Sequence, residues 1–315
     1  MRKEKISAII PCYKDEPAIP IMYKRLVKVF KNIGVDYEII FVNDASPDNS
    51  EQVLYNLSKK DKRVVVINHS RNFGSQIGFS HGLDICTGNA AVLLDGDLQD
   101  PPELIEKFYK KWKDGFDITY GIRIKRKAPV IMQISYKIFY RIFRGISYLP
   151  IPLDAGDFSL IDRKAIDALK LFPERDRFLR GLRAWIGFKQ TGVPYVRPDR
   201  MFGTSTNNLV KNINWATKGI FSFSYAPLEV MALLSFIAFI FSALMGFVGI
   251  VLKIIYPDIA PKGATTIIIA VLFIGALQML GLSILGQYIG KIFEEVKSRP
   301  KYITKSIFNY PRHKK

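Results

Sequence analysis

Two uncharged apolar runs near the C-terminus limit what this chain can become more than any other feature. Val230–Leu252 and Ala264–Gly290 contain no Asp, Glu, Lys or Arg. Each exceeds the ~20 residues that a helix needs to cross a hydrocarbon core. The linker between them, IYPDIAPKG, is short, so a helical hairpin is predicted. Beyond Gly290 the chain carries eight Lys/Arg and two acidic residues, whereas Lys253–Gly263 carries two Lys and one Asp. Cytoplasmic loops hold the excess of positive charge, so the tail and everything before the hairpin are expected in the cytoplasm and the linker outside. The expected division is a cytoplasmic domain over 1–207, an interfacial helix over 208–227, the hairpin over 228–290 and a basic cytoplasmic tail over 291–315. Such a chain is expected to be a multi-pass protein of the plasma membrane with its large domain in the cytoplasm.

Residues 1–122 follow another rule. Runs rich in β-branched residues alternate with segments whose apolar residues recur at helical spacing. Strands are predicted at Ile6–Ile10, Tyr37–Val42, Val64–Asn68, Ala90–Leu94 and Ile118–Gly121. Ile19, Met22, Leu26, Phe30 and Ile33 mark the first helix, which Gly34 closes. Further helices are expected over Ser50–Lys60 and Ser75–Cys86, and after Pro101-Pro102. Strands separated by helices predict an α/β domain with a parallel, doubly wound sheet. Ligands of such sheets bind beyond the carboxyl ends of the strands. Four successive exits carry polar residues: Tyr13 and Asp15, Asn43 and Asp44, Arg71 and Asn72, Asp95 and Asp97. This pattern points to a nucleotide-type site. No Gly-x-Gly-x-x-Gly follows the first strand and no Gly-Lys-Ser/Thr is present, so neither a dinucleotide fingerprint nor a P-loop is available to hold phosphates.

The fourth exit, VLLDGDLQDPP, offers another means. Asp95 and Asp97 stand two residues apart, a spacing that on a strand puts both carboxylates on one side, able to share a divalent cation. Mg²⁺ or Mn²⁺ suits such a site, because hard ions accept carboxylate, water and substrate phosphate oxygens together. A cation there would neutralise a departing nucleoside diphosphate, the logic of nucleotide-sugar transfer. The net charge of +18 is either a solvated basic surface or the sign of an anionic partner, whether nucleic acid, anionic lipid or a phosphorylated substrate. Seven basic residues and no acid lie between Asp117 and Asp154, and Val130–Leu149 interleaves them with Ile131, Ile134, Ile138, Phe139, Ile142, Phe143 and Ile146. A basic helix with an apolar face, expected over about 130–149, belongs in a lipid interface rather than on nucleic acid. Cys12 and Cys86 form no disulfide framework, which fits a reducing compartment. His69, His81 and His313 are not spaced as ligands, and Trp112 and Trp185 are expected in the core.

The motifs IIPCYKDE, FVNDASPDNS, SRNFG (Ser70–Gly74), LLDGDLQDPPE, GDFSLIDR (Gly156–Arg163), RFLRG and WIGF, followed by a two-helix hairpin, resemble the inverting family-two glycosyltransferases. The likeness is to the polyprenyl-phosphate branch, that of dolichyl-phosphate mannose synthase and bactoprenol glucosyltransferase, and runs over roughly Ser7–Lys297. It implies the A-type glycosyltransferase fold, a Rossmann-like nucleotide-diphospho-sugar transferase domain. It implies that Pro11, Tyr13, Asp15 and Asp44 bind the nucleoside of the donor, and that Asp95, Asp97 and Gln99 serve metal and diphosphate. Asp157 corresponds to the active-site aspartate, and Arg123, Arg126, Arg200 and Ser205 to the acceptor-phosphate site. Three positions depart from the family's pattern. Tyr-Asn-Glu is Tyr13-Lys14-Asp15, Asp-Asp is Asn43-Asp44, and the loop Arg-x-Ala-Gly-x-Ser-Lys-Tyr keeps only Arg200, Gly203 and Ser205.

The activity implied is transfer of a hexose, from UDP-glucose in the first instance, to a polyprenyl phosphate such as undecaprenyl phosphate, for cell-envelope glycosylation; members of the branch also form homo-oligomers. A phosphate monoester with a second pKa of about 6 is mostly dianionic near neutral pH and needs little general-base help. Asp157 is therefore expected to orient the acceptor or stabilise an oxocarbenium-like centre rather than to take a proton. Two other readings stay open at this level. A processive polysaccharide synthase would carry Gln-x-x-Arg-Trp and more spans, neither visible in the sequence. A non-catalytic basic membrane scaffold would follow from the charge alone, and the carboxylates at the strand exits argue against it.

Overall fold

The computed structural model describes residues 3–124, 155–175, 177–199, 201–202, 224–255 and 263–310. The expected interfacial helix at 130–149, most of that at 208–227, and Arg126, Arg200 and Ser205 lie outside the described residues. The chain divides into two units: 1–144 with 149–211 and 299–315, and 145–148 with 212–298.

The first unit is built on one eight-stranded sheet. Its elements run β1 (Lys5–Cys12), α1 (Ile19–Ile33), β2 (Asp36–Asn43), α2 (Ser50–Lys60), β3 (Val64–His69), α3 (Ser75–Ile85), β4 (Ala90–Leu93), α4 (Ile105–Lys113), β5 (Ile118–Arg123) and β6 (Ala155–Asp162). There follow α5 (Arg163–Lys170), α6 (Leu179–Trp185), β7 (Gln190–Tyr195) and, far along the chain, β8 (Thr304–Phe308). The strand order is β7-β5-β6-β4-β1-β2-β3-β8. The expected parallel core is present as β4-β1-β2-β3. The sheet as a whole is mixed, because β6 runs antiparallel between β4 and β5, and β8 runs antiparallel along β3. The β–α alternation that predicted a parallel sheet is confined to the first 122 residues, and it carries no information on strands delivered from further along the chain.

Local pattern accounts for the core. Ile6, Ala8, Ile10 and Cys12 alternate along β1 and pack with Ile19, Met22, Leu26, Val29 and Phe30, a stripe at helical spacing on α1. The opposite face of β1 meets α3. That helix approaches so closely at Gly82 that an added Cβ would lie 2.2 Å from Cγ2 of Ile9, so only glycine fits there. Pro11, which has no N–H to give a ladder, falls where none is needed. β4 pairs with β1 only up to Ile9–Leu93 and then leaves. Cys12 is buried in this core. Trp112 packs against the core, but Trp185 does not share it: the residue is 54% exposed, its ring perpendicular to that of Phe172 at 5.1 Å between centroids. Trp185 closes a short helix at the surface, where a single large apolar residue needs no partner.

The second unit contains α7 (Ala226–Ile255) and α8 (Ala264–Val296). Both apolar runs are helical, of 30 and 33 residues, and most of the large apolar side chains along them are exposed. By length and composition each could cross a membrane. The Tyr288 hydroxyl donates to the carbonyl of Ser224 at 2.8 Å.

Candidate active site

The exits of the parallel strands are tied to one another by side chains. At the β1 exit, Tyr13 N donates to Asp15 Oδ2 at 3.0 Å, and the Tyr13 side chain remains exposed. Lys14 N donates to Ser46 Oγ at 2.7 Å and Glu16 N to Asp48 Oδ2 at 3.1 Å, which joins this exit to that of β2. Lys14 has φ of 62°, in the left-handed region where asparagine is the more comfortable residue. Asp44 is 3% exposed. Its Oδ1 accepts from Phe73 N at 2.9 Å and lies 2.8 Å from His69 Nδ1, and its Oδ2 accepts from Gly74 N at 2.7 Å. A carboxylate has about four acceptor positions, and contacts with described residues occupy three of them on Asp44.

Asp95 and Asp97 follow the end of β4, and a turn places them, not the strand pleat that their spacing had suggested. Gly96 makes that turn possible: a Cβ there would sit 2.9 Å from the Pro11 carbonyl oxygen and 3.0 Å from Asp15 Oδ2. The two carboxylates still converge. Arg197 Nη2 is 3.5 Å from Asp95 Oδ2 and 3.8 Å from Asp97 Oδ2, and Arg197 Nε is 3.8 Å from Asp100 Oδ1. Asp100 is buried and accepts from the Tyr195 hydroxyl at 2.8 Å, which itself accepts from Arg123 Nε at 3.3 Å. Gln99 N donates to Asp97 Oδ1 at 3.1 Å, and its side chain donates to the Pro198 carbonyl at 3.2 Å, holding the Arg197 loop to the turn.

Burial pushes the Asp95 carboxyl up to about 7, the charges of Asp100, Asp97 and Asp157 add to the effect, and Arg197 opposes it. Yet 34% of the Asp95 side chain reaches solvent, against 9% for Asp97 and 1% for Asp100, so Asp95 is the carboxylate a ligand can approach. A crowded set of oxygen donors short of positive charge fits a hard divalent cation such as Mg²⁺ or Mn²⁺. Among the described residues no three acidic, imidazole or thiol groups could hold an ion by themselves. Water and diphosphate oxygens would complete the coordination, the habit of Mg²⁺.

Asp157 sits on β6, 8% exposed. Arg180 on α6 grips it through two bonds, Nε to Oδ1 at 3.1 Å and Nη2 to Oδ2 at 3.0 Å. Gln76, in the first turn of α3, donates to Asp157 Oδ2 at 3.0 Å and accepts from Leu179 N at 3.0 Å. Burial alone would raise the pKa of Asp157, but Arg180, with Arg183 and Arg123 behind it, holds it below the usual carboxylate range. Such a group is a lasting negative charge of fixed orientation. It is a poor proton acceptor.

The model of a known family, glycosyl transferase family 2, matches residues 7–170. The chain belongs to this family. The match runs from β1 to α5 and includes every carboxylate described above. An uncharacterised glycosyltransferase of Synechocystis is 39% identical over 306 residues, covering 96% of this chain and 96% of its own. A bactoprenol glucosyl transferase of Shigella phage SfX is 36% identical over 303 residues, covering 96% of this chain and 99% of its own. The crystal structure of mannosyl-3-phosphoglycerate synthase from Rubrobacter xylanophilus matches with a TM-score of 0.48 at 13% identity, over 68% of this chain and 71% of that one.

Within this family-2 glycosyltransferase the residues expected at the site fall at neighbouring strand ends, apart from those outside the described residues. Arg123 adjoins the acidic turn through Tyr195 and Asp100. Sequence reasoning passed over Gln76, Asp100, Arg180, Tyr195 and Arg197. Asp100 and Arg180 lay inside quoted motifs and could have been found. Tyr195 and Arg197 belong to β7 and the loop after it, where no motif marks them.

Proposed function

We propose that the protein transfers a hexose from a nucleotide sugar, UDP-glucose in the first instance, to a polyprenyl phosphate at the cytoplasmic face of the plasma membrane, with inversion. The observation that carries this reading is likeness over 96% of the chain to a relative named bactoprenol glucosyl transferase. The paired apolar helices support it, since a lipid acceptor is met at a bilayer surface. An acceptor phosphate oxygen forms the new bond to the anomeric carbon as the bond to the diphosphate breaks, and the electron pair departs with the diphosphate. Asp95 and Asp97 would hold Mg²⁺ or Mn²⁺, which when bound offsets the charge of the leaving diphosphate. Arg197, within 4 Å of three carboxylates, supplies further positive charge at the same place. Tyr13, Asp15 and Asp44 would receive the nucleoside. Arg123, Arg126, Arg200 and Ser205 would receive the acceptor phosphate through charge-assisted bonds. Asp157, fixed as an anion by Arg180, stabilises positive charge developing at the anomeric carbon and leaves the proton balance untouched.

The test is radiolabel transfer from UDP-glucose in membranes containing the protein, with and without Mg²⁺ and added undecaprenyl phosphate. Label entering the organic phase only with both is the expected result. GDP-mannose and UDP-N-acetylglucosamine follow if UDP-glucose fails. Silence with every donor, the protein being folded and inserted, removes the reading.

A further inference from the structure

We propose that the C-terminal segment Tyr302–Phe308 is a positioning element of the donor site, holding Asn43 and Asp44 through the side chains of β3 and α3. Two separate side-chain chains carry the inference. In the first, Ser306 Oγ on β8 accepts from Asn68 Nδ2 at 2.9 Å, Asn68 Oδ1 accepts from Asn43 Nδ2 at 2.9 Å, and Asn43 Oδ1 accepts from Ser46 N at 3.1 Å. In the second, the Tyr302 ring stacks on His81 at 3.7 Å between centroids and 12° between planes. His81 Nδ1 lies 3.0 Å from His69 Nε2, and His69 Nδ1 lies 2.8 Å from Asp44 Oδ1. The Tyr302 hydroxyl is anchored on Asp84 Oδ2 at 2.9 Å.

His69, His81, Asn43, Asn68 and Asp44 are each at most 3% exposed, so these contacts are made without competition from water. A strand that merely sealed the β3 edge would need only its backbone, which β8 supplies through its own ladder. The side chains do more: they reach the last residue of β2 and the first beyond it. Lys305 on Glu51 at 2.9 Å and the Asn309 amide on the Val64 carbonyl at 3.0 Å fasten the segment on either side of Ser306. Since the segment follows α8 in the chain, the donor site is completed only after both apolar helices have been made. This inference rests on the reading of Asp44 as a nucleoside-binding residue.

The experiment uses the full chain in lipid nanodiscs, with UDP and GDP as probes in calorimetry and with donor and acceptor KM measured separately. Tyr302→Ala and Ser306→Val are each expected to weaken nucleotide binding about tenfold, the size of one well-placed interaction, and to leave the KM for polyprenyl phosphate unchanged. Tyr302→Phe, which keeps the ring against His81, recovers most of what Tyr302→Ala loses. Asp44→Asn separates the two readings. If it weakens binding while Tyr302→Ala and Ser306→Val bind as wild type, the positioning role is wrong and the nucleoside reading stands; if it too binds as wild type, both fall. A measurement on the unaltered protein guards against variants that fail to fold. The chain has three histidines, so imidazole ¹⁵N spectra are simple. Added UDP or GDP must move the His69 and His81 signals while leaving His313 in place, and signals indifferent to both nucleotides overturn the proposal.

Discussion

At the scale of single residues, the site is governed by which carboxylates have a cation beside them. Asp157 has Arg180 on both oxygens, and although burial acts to raise its pKa, Arg180 with Arg183 and Arg123 holds it below the ordinary carboxylate value. Replacing Arg180 by Ala leaves burial as the leading influence, which raises that pKa. The acid limb of the kcat/KM profile of Arg180→Ala should therefore lie at higher pH than that of the wild type, and coincident limbs would show that Asp157 does not matter in its charged form. Asp97→Asn removes half of the expected metal pair and should lower kcat on the order of 10²-fold, comparable to losing one electrostatic stabiliser of a developing charge. Activity near wild type would mean that the metal site is misassigned. Lys14 carries a different load, a left-handed backbone that costs an L-residue roughly 1 kcal/mol. Lys14→Asn restores the residue usual in the family and should raise the unfolding midpoint slightly in a thermal melt. The Asp95–Asp97 pair was legible as a site in the sequence because proximity along the chain became proximity in space. Arg197 was not, since nothing local marks a residue that completes a cluster 100 positions earlier.

Elements are held in register by buried polar bonds as well as by apolar faces. Glu38 on β2 is 4% exposed and accepts from Lys5 Nζ at 2.7 Å and Ser7 Oγ at 2.6 Å on β1, and from Thr87 N at 2.6 Å and Thr87 Oγ1 at 2.7 Å after α3. Burial by itself would raise its pKa, but these donors together lower it. A depressed folded-state pKa contributes stability above the unfolded value near 4.3, and that contribution is lost as pH falls through the folded value. Glu38→Gln should cost about 1–3 kcal/mol at pH 7, and the gap from wild type should narrow in melts run below pH 4. An equal gap at both pH values would place the effect in shape rather than charge. The parallel strands and their helices were legible because period-2 and period-3.6 patterns are short-range. β6, β7 and β8 were not, because a partner strand from a distant segment, antiparallel for β6 and β8 and parallel to β5 for β7, leaves no periodic trace in the strands that it joins.

For the molecule as a whole, β8 shares a sheet with β1 although α7 and α8 lie between them in the chain. If α7 and α8 are membrane spans, two strands that meet in one sheet on either side of them require an even number of crossings, in keeping with the expectation from charge bias that the linker lies outside. A fluorescent reporter fused after Lys315 should therefore be active in the cytoplasm, and alkaline phosphatase fused near Asp258 should be active outside. The reverse pattern would refute the expected orientation, and extraction of the protein by alkaline carbonate would refute the expected spans.

Read alone, the sequence determined the strands β1 to β4 and their parallel sense, the two apolar helices and the row of carboxylates at the strand exits, while their order in the sheet came from the structure. Each depends on residue type, spacing and run length within a few turns of chain. Tertiary structure decided what completes them. It set Tyr195 on Asp100 across 95 residues, Arg180 on Asp157 from another element, and Ser306 on Asn68 across 238 residues. Contacts at such separations are selected by the packing of the whole sheet, because a hydrogen-bonding side chain carries no mark of which distant partner the fold will bring to it.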